Sequence, residues 1–179
     1  MEASAQKLTV VCTDLKSFLQ FNQQLSDRQL AEFLDTYYCD AGEVIRDFGG
    51  TVDKFMGDSV LALFNAPEPI REPEQRAVSA ANSLKQRLAK RWPKLHMSVG
   101  VATGEAIVGY FGPSFCQTYT ALGPTVNRAF VLEKRSHQTG FKILVDSATH
   151  ECLNGRFEVR RHLSSDHPFL AGEAVYEIS

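Results

Sequence analysis

Apolar side chains recur along this chain with two different periods, and the points where the period changes divide it into elements. Lys7 to Cys12 (KLTVVC) is a β-branched run that stops at the polar pair Thr13-Asp14, as a buried strand does on reaching a loop. Asp14 is thereby predicted at a strand's carboxyl end. After Ser26, a good N-cap, apolar residues fall at Leu30, Phe33, Leu34, Tyr37, Tyr38, Ala41, Val44, Ile45 and Phe48, the i, i+3, i+4 spacing of one helix face. Gly49-Gly50 ends that helix.

The runs TVDKFM and SVLALF, joined by Gly57-Asp58, predict a hairpin with Asp58 at its tip. Asn65 to Pro73 reads as a proline-rich loop, and Glu74 to Lys90 carries Ala77, Val78, Ala81, Leu84 and Leu88 at helical spacing. Leu95 to Ala102 is a strand entering the glycine-punctuated stretch TGEAIVGYFG. The turn Leu122-Gly123-Pro124 opens a helix over Thr125 to Lys134, and Phe141 to Val145 and Val175 to Ile178 are short strands. Strands and helices alternate with no internal repeat, which predicts an α+β (α/β sandwich) architecture, a mixed sheet covered by helices.

Composition narrows the possibilities further. With 44% hydrophobic and 22% charged residues, 179 residues suffice for one domain with a sizeable core, so 1–179 is expected to be a single unit. A formal net charge of −2 gives no sign of a nucleic-acid partner. Cys12, Cys39, Cys116 and Cys152 are scattered without a C-x-x-C pair, against a structural zinc site or a disulfide framework and in favour of reduced thiols in a cytoplasmic setting. No apolar run approaches a membrane span, and MEASAQKLTVV lacks the basic region and apolar core of a signal peptide, so no membrane contact by this domain is expected.

Asp14 and Asp58 each lie where a strand stops. If those strands are neighbours, the carboxylates converge at one edge, as a site for Mg²⁺ with bound phosphates requires, because magnesium takes one or two carboxylates and completes its shell with water and phosphate. Ordinary turn aspartates would satisfy the same spacing.

The surrounding residues resemble the catalytic domains of class III adenylate and guanylate cyclases. VVCTDLKSF is similar to that family's first metal motif and GGTVDKFMGDSVLALFNAP to its second; GVATGEAIVGYFG is similar to the glycine-rich strand that follows, and YTALGPTVNRA to the segment carrying base and ribose contacts. The resemblance covers about residues 7 to 150, with AVYEI a loose match beyond it. It implies a ferredoxin-like core with a mostly antiparallel sheet. It also implies that Asp14 and Asp58 (with the Leu15 carbonyl) hold two Mg²⁺ ions, for which Mn²⁺ substitutes. The backbone at Leu15, Lys16, Ser17, Phe18 and Leu19 would cradle the phosphates, Lys54 and Thr120 select the purine, and Asn127 orients the ribose. In the family the pocket lies between two subunits, so a homodimer, or a heterodimer with a related cyclase domain, is implied. The pair Lys54 with Thr120 resembles the adenylate-cyclase subgroup with threonine in place of aspartate, which favours ATP, since adenine N1 is an acceptor that a lysine serves.

Two family cations have no counterpart here. Val131 stands where an arginine four residues after the asparagine is expected. Arg128 is turned about 100° from Asn127, and Arg135 lies about 12 Å farther along the helix, so both read as solvated helix charges. The region SSDHPFLAGE replaces a Lys-Gly element, no lysine follows Lys142, and His162 and His167 are the remaining candidates near it. Ser17, Leu19 and Phe130 also depart from the family's usual Gly, Thr and small residue. The leading expectation is conversion of ATP to cyclic AMP and pyrophosphate. The alternatives are a cyclase for GTP or a pyrimidine triphosphate, and a silent cyclase-homology domain that binds nucleotide or regulates a partner.

Overall fold

In the computed structural model, residues 3–140, 142–162, 168–170 and 172–179 are described. The elements follow as β1 (Ser4–Lys16), α1 (Phe18–Asn22), α2 (Asp27–Asp47), β2 (Thr51–Met56), β3 (Ser59–Phe64), α3 (Pro73–Arg91), β4 (His96–Phe111), β5 (Thr118–Leu122), α4 (Pro124–Gln138), β6 (Ile143–Val145), α5 (Ser147–Glu151), β7 (Val159–His162) and β8 (Val175–Ile178). The strands form one sheet in the order β2-β3-β1-β4-β6-β8-β7, with β5 added to the distal half of β4. Every pairing is antiparallel except β4 with β6. The expected mixed, mostly antiparallel sheet covered by helices is therefore present, and β1 to β4 with α2 and α3 make the β-α-β-β-α-β unit of a ferredoxin-like core.

Strand alternation sends successive side chains to two separate apolar layers. Val11 and Leu15 of β1, Val60, Ala62 and Phe64 of β3 and Met97, Val99 and Val101 of β4 pack against α2 and α3. Val10, Cys12, Leu61, Leu63, Ala102, Ala106 and Val108 pack against Val126, Ala129 and Leu132 of α4 on the other face. Asp14 continues the second set, so β1 delivers its carboxylate to the α4 side. The close seating of α4 explains a glycine inside β4: a Cβ on Gly100 would lie 2.1 Å from the Ala129 carbonyl oxygen.

Local chemistry accounts for the element ends. Ser26 and Gln29 form a reciprocal capping box that starts α2, the amides of Gly49 and Gly50 close it on Arg46 and Ile45, and Gly57 takes φ +65 at the hairpin tip. Several boundaries differ from the sequence expectation, three of them near the site. β1 runs on through Asp14, which pairs with Ser98 instead of ending the strand; β4 extends past Ala102 to Phe111, because Ala106 and Val108 keep the alternation going through the glycines; and α4 reaches Gln138 instead of Lys134. The short elements α1, β5, α5 and β7 carry too few periodic positions to stand out in sequence. Phe141, predicted to open a strand, lies outside the described residues, and β6 begins at Ile143.

Candidate active site

Two groups of polar residues stand on the sheet, and they are separate. The first is built by β1 and the β2–β3 tip. Ser59, on the same face as Leu61 and Leu63, donates its hydroxyl to the Asp14 carboxylate, and the backbone at Leu15 and at Asp58 itself favours the charged form of the Asp58 carboxylate. Tyr38 of α2 fixes the tip from below: its hydroxyl donates to the Gly57 carbonyl at 2.7 Å and its ring stacks on Phe55 with centroids 4.3 Å apart. Burial, and then the charge of nearby Asp14, push the Asp58 carboxyl above the ordinary carboxylate range. Both aspartates open into one cleft of about 540 Å³, walled also by residues 15–20 and His137.

The sequence-predicted phosphate cradle thus lies beside the two carboxylates. Its local form differs from a simple helix start, since Leu15 and Lys16 still belong to β1, Ser17 turns the chain at φ 64, and the helix begins only at Phe18. Phe18 is buried and anchors the turn against Phe33, whereas Leu19 is exposed.

The second group joins β2 to β5. The Lys54 ammonium donates to the Thr120 hydroxyl at 3.1 Å, and that hydroxyl donates to the Asp53 carboxylate at 2.9 Å, which also lies 3.4 Å from Lys54. A bulge between Val52 and Lys54 in the β2–β3 register makes this possible. In a regular strand, residues 53 and 54 would face opposite ways; a bulge re-aims one of them. Sequence reasoning missed Asp53 because regular alternation places it on the far side of the strand from Lys54.

α4 carries the remaining candidates. Asn127 is exposed near its N-terminus, and Val131, one turn on, is half-buried and packs on the apolar layer beneath the helix. Arg128 requires a correction, for it is not a solvated charge. Its guanidinium donates to the fully buried Asp146 carboxylate at 3.2 Å and to the Thr103 carbonyl at 3.0 Å. Arg128→Ala should therefore destabilise the fold by about 3–5 kcal/mol by stranding a buried carboxylate, as thermal or urea unfolding will read.

At the far end of α4, His137 lines the Asp14–Asp58 cleft, and with Phe130, Glu133 and Lys134 it lines an adjoining one of about 420 Å³ that Asp14 also enters. His137 was missed because the helix was expected to stop at Lys134; the helical period through Phe130 and Glu133 points to it once the helix is extended. His167 lies outside the described residues and His162 is placed in β7. The two site groups do not meet: the cleft walled by Asp14 and Asp58 includes neither Lys54, Thr120 nor Asn127.

The family model of the adenylate and guanylate cyclase catalytic domain matches residues 1–172. The chain belongs to this family. Among curated proteins, this cyclase domain is 31% identical over 151 residues to adenylate cyclase 1 of Rhizobium meliloti, covering 80% of the domain and 23% of that protein. Among solved structures it matches the adenylyl cyclase CyaB from P. aeruginosa (TM-score 0.93, 26% identity, 100% of this chain and 96% of that one). It also matches the guanylyl cyclase Cya2 (TM-score 0.81, 27% identity, 99% and 94%). The chain spans about a quarter of the length of the curated relatives it matches.

Cyclases of this family generally use divalent metal ions, and the donor set of this domain fits one. No group of three or more His, Cys, Asp or Glu at metal-binding separation occurs among the described residues. A cation here would thus rest on two carboxylates and backbone oxygen, with phosphate and water completing a hard-oxygen shell, which suits Mg²⁺. The repulsion that raises Asp58 is the electrostatic counterpart of such a site, because a bound cation relieves it.

Proposed function

We propose that residues 1–179 form one catalytic domain that converts ATP to 3′,5′-cyclic AMP and pyrophosphate, with two Mg²⁺ ions (or Mn²⁺) held at the interface of a dimer. The observation that carries the proposal is the convergence of Asp14 and Asp58, far apart in sequence, on one cleft beside the turn at residues 16–19. The likeness to the R. meliloti adenylate cyclase supports the reaction class.

In this reading Asp14 and Asp58, with the Leu15 carbonyl, hold the metal ions. The amides of Lys16, Ser17, Phe18 and Leu19 orient the triphosphate. Lys54 and Thr120 of one protomer receive the adenine of a nucleotide whose phosphates sit on its partner, and Asn127 orients the ribose so that its 3′-hydroxyl faces the α-phosphorus. When bound, the metal ions supply activation of that hydroxyl and neutralise charge on the departing pyrophosphate. The hydroxyl proton passes to solvent water, the 3′-oxygen bonds to the α-phosphorus as the bond from that phosphorus to the bridging oxygen breaks, and pyrophosphate leaves with the electron pair.

Separation of the two groups supports sharing of the work between two chains. So does a band of exposed apolar side chains at the hairpin and along β4 and β5, namely Phe55, Met56, Ile107, Tyr110 and Leu122. A partner of the same or a related sequence satisfies this geometry. Four free cysteines support a reducing, cytoplasmic setting, and no helix among the described residues is long and apolar enough to cross a membrane.

The test is incubation of the purified protein with Mg²⁺ or Mn²⁺ and each of the four nucleoside triphosphates, with products identified by mass spectrometry. Cyclic AMP as the main product is expected. Cyclic GMP or a cyclic pyrimidine nucleotide would replace the substrate assignment, and triphosphate binding without product would favour a silent domain. Lys54→Glu combined with a Thr120 substitution should shift preference away from ATP by about tenfold or more while leaving metal binding intact, measured as kcat/KM for each triphosphate.

A further inference from the structure

We infer that Asp53 is a specificity-determining positioning residue: it commits the only proton of the Thr120 hydroxyl, so that Thr120 and Lys54 present one acceptor and one donor to the base and select adenine over guanine. This rests on the nucleotide cyclase reading above and assigns a role to a residue to which that reading gives none.

The donor count decides the polarity of the group. Lys54 has three N–H donors and no acceptor, and a carboxylate has acceptors only. Thr120 Oγ, 3.1 Å from the Lys54 ammonium and 2.9 Å from the Asp53 carboxylate, therefore accepts from the first and donates to the second. Its proton is used, and one lone pair remains. Lys54 directs two of its N–H groups at Thr120 and Asp53 and keeps a third. The pair thus shows a ligand one acceptor, on Thr120, next to one donor, on Lys54.

Adenine carries the complementary pattern on its Watson–Crick edge, with the N6 amino group as donor and N1 as acceptor. Guanine carries the opposite one, with O6 as acceptor and N1–H as donor. O6 would meet a lone pair on Thr120, and N1–H would meet the Lys54 ammonium. Without Asp53 the threonine proton is released, and the hydroxyl can turn to donate to O6.

The surroundings of Asp53 mark it as more than a structural carboxylate. Asp146, which is structural, is saturated by the Thr149 amide and hydroxyl, the Thr103 amide and Arg128. The Asp53 side chain is equally inaccessible, yet its Oδ1 has no hydrogen-bond partner among the described residues. A buried carboxylate left half-satisfied lowers stability, and the bulge that turns it toward Thr120 interrupts the β2–β3 ladder. Both features serve one contact, the one with Thr120 and Lys54.

The experiment measures kcat/KM for ATP and GTP, and equilibrium binding of both, in wild type, Asp53→Leu, Asp53→Ala, Asp53→Asn, Thr120→Val and Asp53→Leu/Thr120→Val, with folding followed by thermal unfolding. Asp53→Leu, close to isosteric, should lower the ATP to GTP ratio about tenfold, and Asp53→Ala carries the same test if the leucine variant does not fold. Asp53→Asn, whose amide oxygen still accepts from Thr120, should retain most of the ratio. The double variant should be no less selective than Thr120→Val alone, because the effect of Asp53 passes through that hydroxyl. Wild-type protein with no preference for ATP in turnover or binding would overturn the proposed function and this inference with it. A wild-type preference that survives unchanged in the folded Asp53 variants, or ATP and GTP falling equally, would overturn this inference alone.

Discussion

Asp14→Ala and Asp58→Ala should each lower metal-dependent turnover on the order of 10³-fold or more, since each removes one of the two carboxylates that open into the cleft. Neither variant should unfold. Asp58 is half-buried at a hairpin tip and belongs to neither apolar layer of the core. For Asp58 the effect on stability should even be favourable when no metal is present. Its folded-state carboxyl is raised by burial and by Asp14, so the folded protein binds that proton more tightly than the unfolded chain does. Stability is then greater below the raised value and declines as pH rises through it. Asp58→Asn removes that charge, and the metal-free variant should melt at a higher temperature than wild type near neutral pH, while added Mg²⁺ should stabilise wild type and leave the variant unchanged. By the same sign, metal affinity should weaken on acidification at a higher pH than an ordinary aspartate would give. Calorimetry with and without Mg²⁺, beside a turnover assay, checks each part. A variant that retains full activity, or one that unfolds, would remove Asp14 and Asp58 from the proposed site.

How far the site was legible in sequence depended on whether a residue's position follows from regular geometry. Asp58 did, because a Gly-Asp pair between two β runs allows little except a hairpin tip. The α2 helix did, because its apolar stripe and the Ser26 cap agree. Asp14 was found by a partly mistaken route: the strand does not stop there, and alternation is what carries the carboxylate to the α4 face. Asp53 was not legible, since a bulge in the β2–β3 register is a tertiary adjustment that the residue types TVDKFM do not announce. Arg128 was misread for a related reason. Its partner Asp146 lies on another segment, and only the close approach of α4 to the sheet at Gly100 brings the buried carboxylate within reach. His137 was lost to a helix boundary set four residues short.

Val131→Arg should raise turnover by an order of magnitude or more, because it puts a cation where the sequence resemblance implies an arginine facing the phosphates. Val131 lies one turn beyond the exposed Asn127 on α4, and four residues leave only about 40° between the two side-chain directions. The valine is half-buried and rests on the apolar layer under the helix, so an arginine there gives up some packing. Its aliphatic stem can cover the same surface while the guanidinium extends outward, beside Asn127, toward the phosphates proposed to sit on the partner protomer. A modest loss in melting temperature is therefore expected together with the gain in rate. Arg128 is committed to Asp146 and cannot supply the missing charge, which leaves Lys16, Lys134 and His137 at the two adjoining clefts and Arg135 on the same helix as native alternatives, of which the two at the end of α4 outside the family motifs, Arg135 and His137, are tested first. These separate kinetically. If His137 already neutralises the triphosphate, His137→Ala lowers wild-type turnover and Val131→Arg restores it; if neither does, His137→Ala is neutral and Val131→Arg still accelerates. Turnover that is unchanged or reduced in a folded, dimeric Val131→Arg protein would show that Val131 does not stand in the arginine's place, and Arg135→Ala then becomes the decisive variant.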